Sequence, residues 1–354
     1  MTTRAPSVLL DLLGTELPII QAPMAGAQGS ALAIAASNAG ALGSLPCALL
    51  ALDTMRDELA AIRSHTTRPY NVNFFCHTPP DADTGTGRER RWRETLAPYY
   101  AELGIDPASI EPGPQRAPFT SDAADVLEEF RPAIVSFHFG LPSAPLLERV
   151  RRLGAKILAC ATTVDEARWL EVCGVDAIVA QGIEVGGHRG NFLSTDLTTQ
   201  IGTFALVPQV VRAVRVPVIA AGGIADADGV AAAIRLGASG VQIGTAYLLC
   251  PETMTSPVHR AALASDAARH TALTNLFSGR AARGIVNRVI RELGRLNDVA
   301  PEFPLATAAI APLRAAAEAR GSGDFSPLWS GQNATGCKAI SAGDLTRELA
   351  AALT

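Results

Sequence analysis

Lysine is almost missing from this chain of 354 residues; only Lys156 and Lys338 are present. Arginine carries nearly all the positive charge, and the formal net charge is -4 at a sequence pI near 5.9. That balance gives no general attraction for nucleic acid or for an acidic membrane surface. The basic stretch at 88–94 is interleaved with glutamates and reads as a solvated helix face. No uncharged apolar run approaches the roughly 20 residues needed to cross a bilayer. The N-terminus, with Arg4, Pro6 and Asp11, lacks the charged-then-apolar pattern of a secretion signal. The six cysteines form no CxxC pair and show no metal-ligand spacing, so no metal site is expected. They suit reduced thiols in the cytoplasm better than a disulfide framework. There is also no GxGxxG fingerprint and no phosphate-loop lysine, which argues against a dinucleotide or a nucleoside triphosphate on the usual loops.

What is present is alternation. Short, nearly continuous apolar runs recur at 18–21, 41–45, 70–75, 133–138, 156–159, 177–180, 218–221 and 240–244. Strands buried on both faces look like this. Helical patterns separate them at 30–38, 143–152, 165–173 and 226–236, several with a polar start and a glycine just past the end. Eight such units predict an α/β fold, a closed (β/α)8 TIM barrel, with an open doubly wound sheet as the other arrangement. Residues 76–130 read as an elaborated loop after the third strand. Residues 251–325 follow the eighth strand, carry helical patterns without strong strands, and read as a smaller, mainly helical inserted domain over the barrel. Residues 1–250 and 326–354 make up the barrel itself.

Barrel enzymes place their chemistry at the C-terminal ends of the strands, and unusual residues gather there. Gly222 and Gly223 end the seventh unit; Gln242, Ile243, Gly244 and Thr245 end the eighth. Glycines let backbone amides approach a phosphate closely, and a following helix favours an anion. A single phosphate, as on a flavin, fits better than a triphosphate. His188 follows Gly186 and Gly187 on the loop after the sixth strand and is the candidate catalytic residue, since imidazole exchanges protons near neutral pH. His138 closes the fourth strand and is a candidate for the same pocket. Asn73 and Gln181 carry amides suited to a flavin ring edge, and Ala22, Pro23 and Met24 stand where they can lie against its face. Arg189 reads as structural. Glu184 pairs with Arg189 or caps the loop.

Taken together, these segments resemble the nitronate monooxygenase family, formerly called 2-nitropropane dioxygenases. The matching stretches are 18–26, 180–190, 221–226, 240–245, 278–284 and 329–332. The resemblance implies a TIM barrel binding FMN non-covalently, with contacts from Met24, Asn73, Gln181, Gly186, Gly223 and residues 242–245. It implies that His188 is the catalytic histidine and that His138 is the second pocket histidine of the family's first class. Trp329, Ser330 and Gln332 fall in a segment that closes on the flavin. Where some first-class members place tyrosines and a lysine, residues 297–308 offer Phe303 as the only aromatic. The expected partners are a nitronate or nitroalkane and O2, and a homodimer is an open expectation. Two other readings remain: an FMN-dependent NAD(P)H reductase of enoyl thioesters or quinones, similar in the same glycine and histidine segments, and a flavin-binding module without catalysis.

Overall fold

The computed structural model describes residues 6–80, 82–110 and 116–353. Each apolar run holds a strand, and three further strands lie outside the runs. In chain order these are β1 (Ile19–Gln21), β2 (Gly43–Pro46), β3 (Tyr70–Phe75), β4 (Ile134–His138), β5 (Lys156–Ala161), β6 (Ala177–Gln181), β7 (Gly187–His188), β8 (Val218–Ala221), β9 (Gly240–Ile243), β10 (Thr271–Thr274) and β11 (Ala282–Ile285). Eight of them form one parallel sheet in the order β1-β9-β8-β6-β5-β4-β3-β2. A parallel bridge between Ile20 and Leu42 closes the circle, with the Leu42 amide donating to the Ile19 carbonyl at 2.9 Å. The protein is a (β/α)8 barrel, as the alternation predicts.

The strands are continuous in apolar residues because both faces are covered. One core, including Val72, Val135, Ile157, Ile178, Ala220 and Val241, packs outward against the helices. A second, including Ile20, Leu42, Ile134, Leu158, Val179 and Ile219, fills the interior. The first helix, Pro6–Leu13, inserts Leu9 and Leu13 into this interior cluster and plugs the floor of the barrel. The approach is so close that a Cβ on Gly240 would lie 2.4 Å from Leu9 Cδ2. Polar residues also enter the interior, each with a partner. The Gln21 amide donates to Gln28 at 2.8 Å, the Ser44 amide donates to Gln21 Oε1 at 3.0 Å, and Asn71 donates to Ser44 Oγ at 3.0 Å. A plugged floor and a stiff interior leave the C-terminal mouth as the open end.

Two stretches extend the eight-unit pattern, one after β3 and one after β9. Residues 76–130 contain the helices Ala82–Leu103 and Ser121–Phe130. Residues 251–325 contain the helices Pro257–Leu263, Arg288–Leu293 and Ala306–Ala319, and also the antiparallel pair β10–β11, which the helical reading of this segment does not include. The strands were hard to see because each has four residues and β11 reads Ala-Arg-Gly-Ile, with polar and small residues in place of an apolar run. β11 also pairs with β7, so the loop after β6 is stitched to the inserted segment at Ala282 opposite His188. A separate apolar core joins Trp92, Leu96 and Tyr100 of the helix after β3 to Phe277, Ile290, Ile310, Leu313 and Phe325. Its two buried polar tips are satisfied: Trp92 Nε1 donates to the Ala306 carbonyl at 3.3 Å and the Tyr100 hydroxyl to the Ala309 carbonyl at 2.6 Å.

Candidate active site

On one side of the mouth the backbone makes the site. Gly222 and Gly223 follow β8 with φ of 121° and 74°, both in the region that L side chains avoid. A Cβ on Gly222 would lie 2.6 Å from Thr203 Oγ1. Gly244 and Thr245 follow β9. Among the described residues, the amides of Gly222, Gly223, Gly244 and Thr245 donate to no protein acceptor, and all four residues are at least partly open to solvent. Free amides on adjoining loops at a barrel mouth fit a phosphate group. The Gly244 site lies against Ala22 and Met24: a Cβ there would be 3.3 Å from Ala22 Cβ and 3.5 Å from Met24 Sδ. Pro23 stands between them in the turn after β1, and Gln242 is the one partly open residue of β9, next to buried Ile243.

The C-terminal segment is strapped across this cradle. The Gly331 amide donates to Thr245 Oγ1 at 2.9 Å, the Gln332 amide to the Glu184 carbonyl at 2.9 Å, and the Asn333 side chain to the Gly223 carbonyl at 3.0 Å. Ser330 is fully buried. The strap passes so near the loop after β6 that a Cβ on Gly186 would lie 2.5 Å from the Gly331 nitrogen. His259 holds the near end of the strap through a 3.0 Å contact between Nε2 and the Trp329 carbonyl.

The other side of the mouth is built from side chains. His188 enters on β7, and its ring lies 5.4 Å from Phe303, 5.5 Å from Trp329, 6.0 Å from Phe139 and 6.1 Å from Phe75, centroid to centroid. Its Nε2 meets Ser278 Oγ at 2.8 Å. Gln181 aims the loop: its amide nitrogen donates to the His188 carbonyl at 3.2 Å and its oxygen accepts from the Gly190 amide at 2.8 Å. One amide hydrogen of Gln181 remains for another acceptor. Asn73 donates to Ser136 Oγ at 2.8 Å, next to His138 on β4. His138 sits in the same aromatic wall, 4.4 Å from the Phe139 ring and 5.6 Å from Phe75. Phe139 itself has φ of 70°, a strained value for a bulky residue, and such strain concentrates at functional sites. Gly187, with φ of 71°, leaves the space beside His188 open.

Burial holds His188 well below the ordinary imidazole range, and Arg116, His138, Arg280 and His77 add to the effect. Burial also lowers His138 to about 3, with Arg280 contributing. His188 and His138 are therefore neutral at pH 7, with ring nitrogens able to accept a proton or a hydrogen bond.

Reading strand ends missed four neighbours. His77, two residues past β3, is 5% exposed, and neither ring nitrogen has a hydrogen-bond partner among the described residues. Its ring stands edge-on to Phe303 at 4.7 Å, and burial lowers it to about 4. Ser278 and Arg280 lie in the 278–284 stretch, where no strand end or glycine pair marks them. Arg116 comes from the long connection after β3. Arg189 and Glu184 prove to be scaffold. Arg189 is fully buried and donates to the Gln181 carbonyl at 2.8 Å and to Gln200 Oε1 at 2.8 Å. Glu184 does not pair with it; its carboxylate caps the helix Thr203–Ala213, accepting from the Thr203 amide at 2.9 Å.

Comparison with known proteins agrees with this geometry. The family model described as nitronate monooxygenase matches residues 6–352. A nitronate monooxygenase of Paraburkholderia phytofirmans is 44% identical over 349 residues, covering 96% of this chain and 93% of that protein. The solved nitroalkane oxidase of Streptomyces ansochromogenes superposes with a TM-score of 0.89 at 37% identity, covering 98% of this chain and 97% of that one. FabK from Thermotoga maritima superposes at 0.70 with 27% identity, covering 96% and 94%. Membership of a family of flavoenzymes implies a flavin, which the free amides and the adjoining half-open strand ends can accommodate. With the barrel, the strand-end histidine and a match along nearly its whole length, the chain belongs to the nitronate monooxygenase family.

Proposed function

We propose that the protein is an FMN-dependent oxidoreductase that oxidises alkyl nitronates with O2 to a carbonyl compound and nitrite. The observation that carries this reading is a half-buried His188, held below the ordinary imidazole range, facing an aromatic pocket beside a cradle of free amides. In this reading Gly222, Gly223, Gly244 and Thr245 hold the single phosphate of FMN. Ala22, Pro23, Met24, Gln242 and Ile243 lie along the ring, Asn73, Gln181, Gly186 and Gly187 along its edge, and Trp329, Ser330 and Gln332 close over it. When bound, FMN supplies the electron acceptor and the reactivity toward O2. The protein supplies orientation and electrostatics. Phe75, Phe139 and Phe303 keep water from the reacting carbon, and His138 and Phe303 line the substrate side. With a nitronate, His188 faces the anion's oxygens. With a neutral nitroalkane, the His188 imidazole first takes the proton from the α-carbon.

We place the reaction in the cytoplasm. The free cysteines fit a reducing compartment, and no described helix is long and apolar enough to cross a membrane. A homodimer is supported by Val172 and Phe204, which are 88% and 76% exposed on neighbouring helices, and light scattering checks it. Residues 251–325, with the helix after β3, act as the cover of the pocket.

The deciding experiment records the visible spectrum of the purified protein and adds propionate 3-nitronate and, separately, NADH, in air and under argon. A yellow protein that consumes O2 and releases nitrite with the nitronate, and ignores NADH, supports the proposal. Rapid bleaching by NADH with no response to the nitronate would transfer the assignment to a reductase. A protein that cannot be loaded with FMN would remove its basis.

A further inference from the structure

Two guanidinium groups flank the pocket, and the steps above use neither. Arg280 follows Ser278, the partner of His188. Its guanidinium stands over Phe139, with Cζ 4.0 Å from the ring centroid. One terminal nitrogen donates to the Asn191 carbonyl, while the buried Nε has no partner among the described residues. Arg116 stands over Phe303 at 5.7 Å and spends one nitrogen on Thr307 Oγ1 at 2.7 Å. Sixteen ion pairs are formed among the described residues, and none includes Arg116 or Arg280. Phe139 and Phe303 are themselves 5.5 Å apart, so the two cations border one aromatic pocket from two sides. Both charges act on His188, and so does no carboxylate among the principal influences on it.

A partly desolvated cation not in contact with a carboxylate is costly unless a ligand brings the negative charge, and the Glu166 charge acts on Arg280 only from beyond ion-pair distance. An orphan buried N–H is costly for the same reason. The turn carrying Arg280 is also tightly located: Gly279 has φ of 88°, and a Cβ there would lie 2.2 Å from the Pro301 carbonyl oxygen. Arg280 is thus held against the backbone that presents Phe303.

We propose that Arg280, supported by Arg116, is the anion-recognition element of this pocket and makes the enzyme select the nitronate anion over the neutral nitroalkane. The inference rests on the nitronate reading and adds to it the ionisation state of the substrate. A nitronate carries its charge on two coplanar oxygens, a pattern that a guanidinium edge matches. A neutral nitro group is a weak acceptor and brings no charge to offset two arginines.

The test uses the flavin-loaded enzyme, with O2 uptake measured for freshly prepared ethyl nitronate and for nitroethane. Nitrate, planar and singly charged like the nitronate group, is titrated in parallel without turnover and followed by the flavin spectrum. Wild type is expected to bind nitrate and to prefer the nitronate by about a hundredfold or more in kcat/KM. Arg280→Gln is expected to weaken nitrate binding and raise KM for the nitronate by about tenfold or more, the scale of one charge-assisted hydrogen bond, with a smaller change in KM for nitroethane, which binds uncharged. Arg280→Lys restores part of the loss. If Arg280→Gln does not retain flavin, Arg116→Gln carries the comparison, with a smaller loss of the same sign. Wild-type KM and nitrate affinity in the folded variants, or a wild type that uses both substrates equally well, would overturn the inference. An enzyme that binds nitrate through Arg280 but oxidises no nitronate would instead defeat the functional reading and leave the anion site standing.

Discussion

The two halves of the barrel mouth are built on opposite principles. At the ends of β8 and β9 the working groups are backbone amides, and the side chains are absent or small: Gly222, Gly223, Gly244 and Thr245. At the ends of β3, β4 and β6 they are side chains: His77, His138 and His188 among Phe75, Phe139 and Phe303. The first half depends on conformations that only glycine adopts easily, with φ of 121° at Gly222 and 74° at Gly223. The second depends on burial, which keeps three imidazoles neutral while two arginines supply the charge. Holding a phosphate needs donors at stated positions, which any sequence with the right glycines provides. Directing chemistry at one carbon needs particular functional groups, and these come from distant parts of the chain.

If the halves are separable, each breaks without the other. The largest effect is expected on the side-chain half. His188→Ala should lower turnover of a neutral nitroalkane by about 10²–10⁴-fold, the usual contribution of a general base. Flavin content should stay at the wild-type level, and the absorption spectrum reports both. A variant that lost its flavin would show that the two halves are not independent. The reverse cut is Gly222→Val. It forces a branched side chain into positive φ and against Thr203 Oγ1, so flavin Kd should rise by about tenfold or more while the apoprotein keeps its helical circular dichroism. Unchanged flavin affinity would remove the phosphate role of this turn.

A third effect concerns pH. His138 and His77 are lowered in the folded protein to about 3 and about 4, while unfolded histidine titrates near 6.5. Between these values the unfolded chain binds more protons than the folded one, so stability rises with pH. Stability is therefore complete above about pH 6.5 and falls as the pH drops toward 4, by at most about 1.4 kcal/mol per pH unit for each imidazole. Thermal unfolding of wild type and His77→Phe between pH 4 and 7 measures this, and the variant's curve should be flatter. Equal slopes would mean that His77 is not buried neutral. The smallest effect is expected for Ser278→Ala, which removes one hydrogen bond to His188. A loss of about 1 kcal/mol, or about fivefold in kcat, is expected with flavin affinity unchanged.

The backbone half was the more legible one. Paired glycines at the ends of two consecutive apolar runs mark where amides must face outward, and the structure places Gly222, Gly223, Gly244 and Thr245 together. His188 and His138 were visible for a related reason, since each follows a strand and strand ends converge in a barrel. The same rule points to His77, two residues past β3 and just before a proline-rich stretch. Ser278, Arg280 and Arg116 could not be found that way. They stand far along the chain from the groups they meet, 90 residues for Ser278 and His188 and 191 for Arg116 and Thr307, and nothing in their local sequence names the partner. Glu184 shows the opposite failure. It is near Arg189 in sequence, but the loop turns its carboxylate to the amide end of a helix and sends Arg189 into the barrel wall.

Eight short apolar runs alternating with amphipathic helices narrow the fold to a closed barrel or an open doubly wound sheet, because strands buried on both faces need helices on either side. The sequence by itself also determined which ends of those strands carry glycine, amide and imidazole groups. The lowered pKa of the histidines, the stitching of β7 to β11, and the placing of Arg116 and Arg280 over two phenylalanines come from the folded arrangement. Those features depend on dielectric environment and on contacts between segments far apart in the chain, and neither is a property of any local stretch of residues.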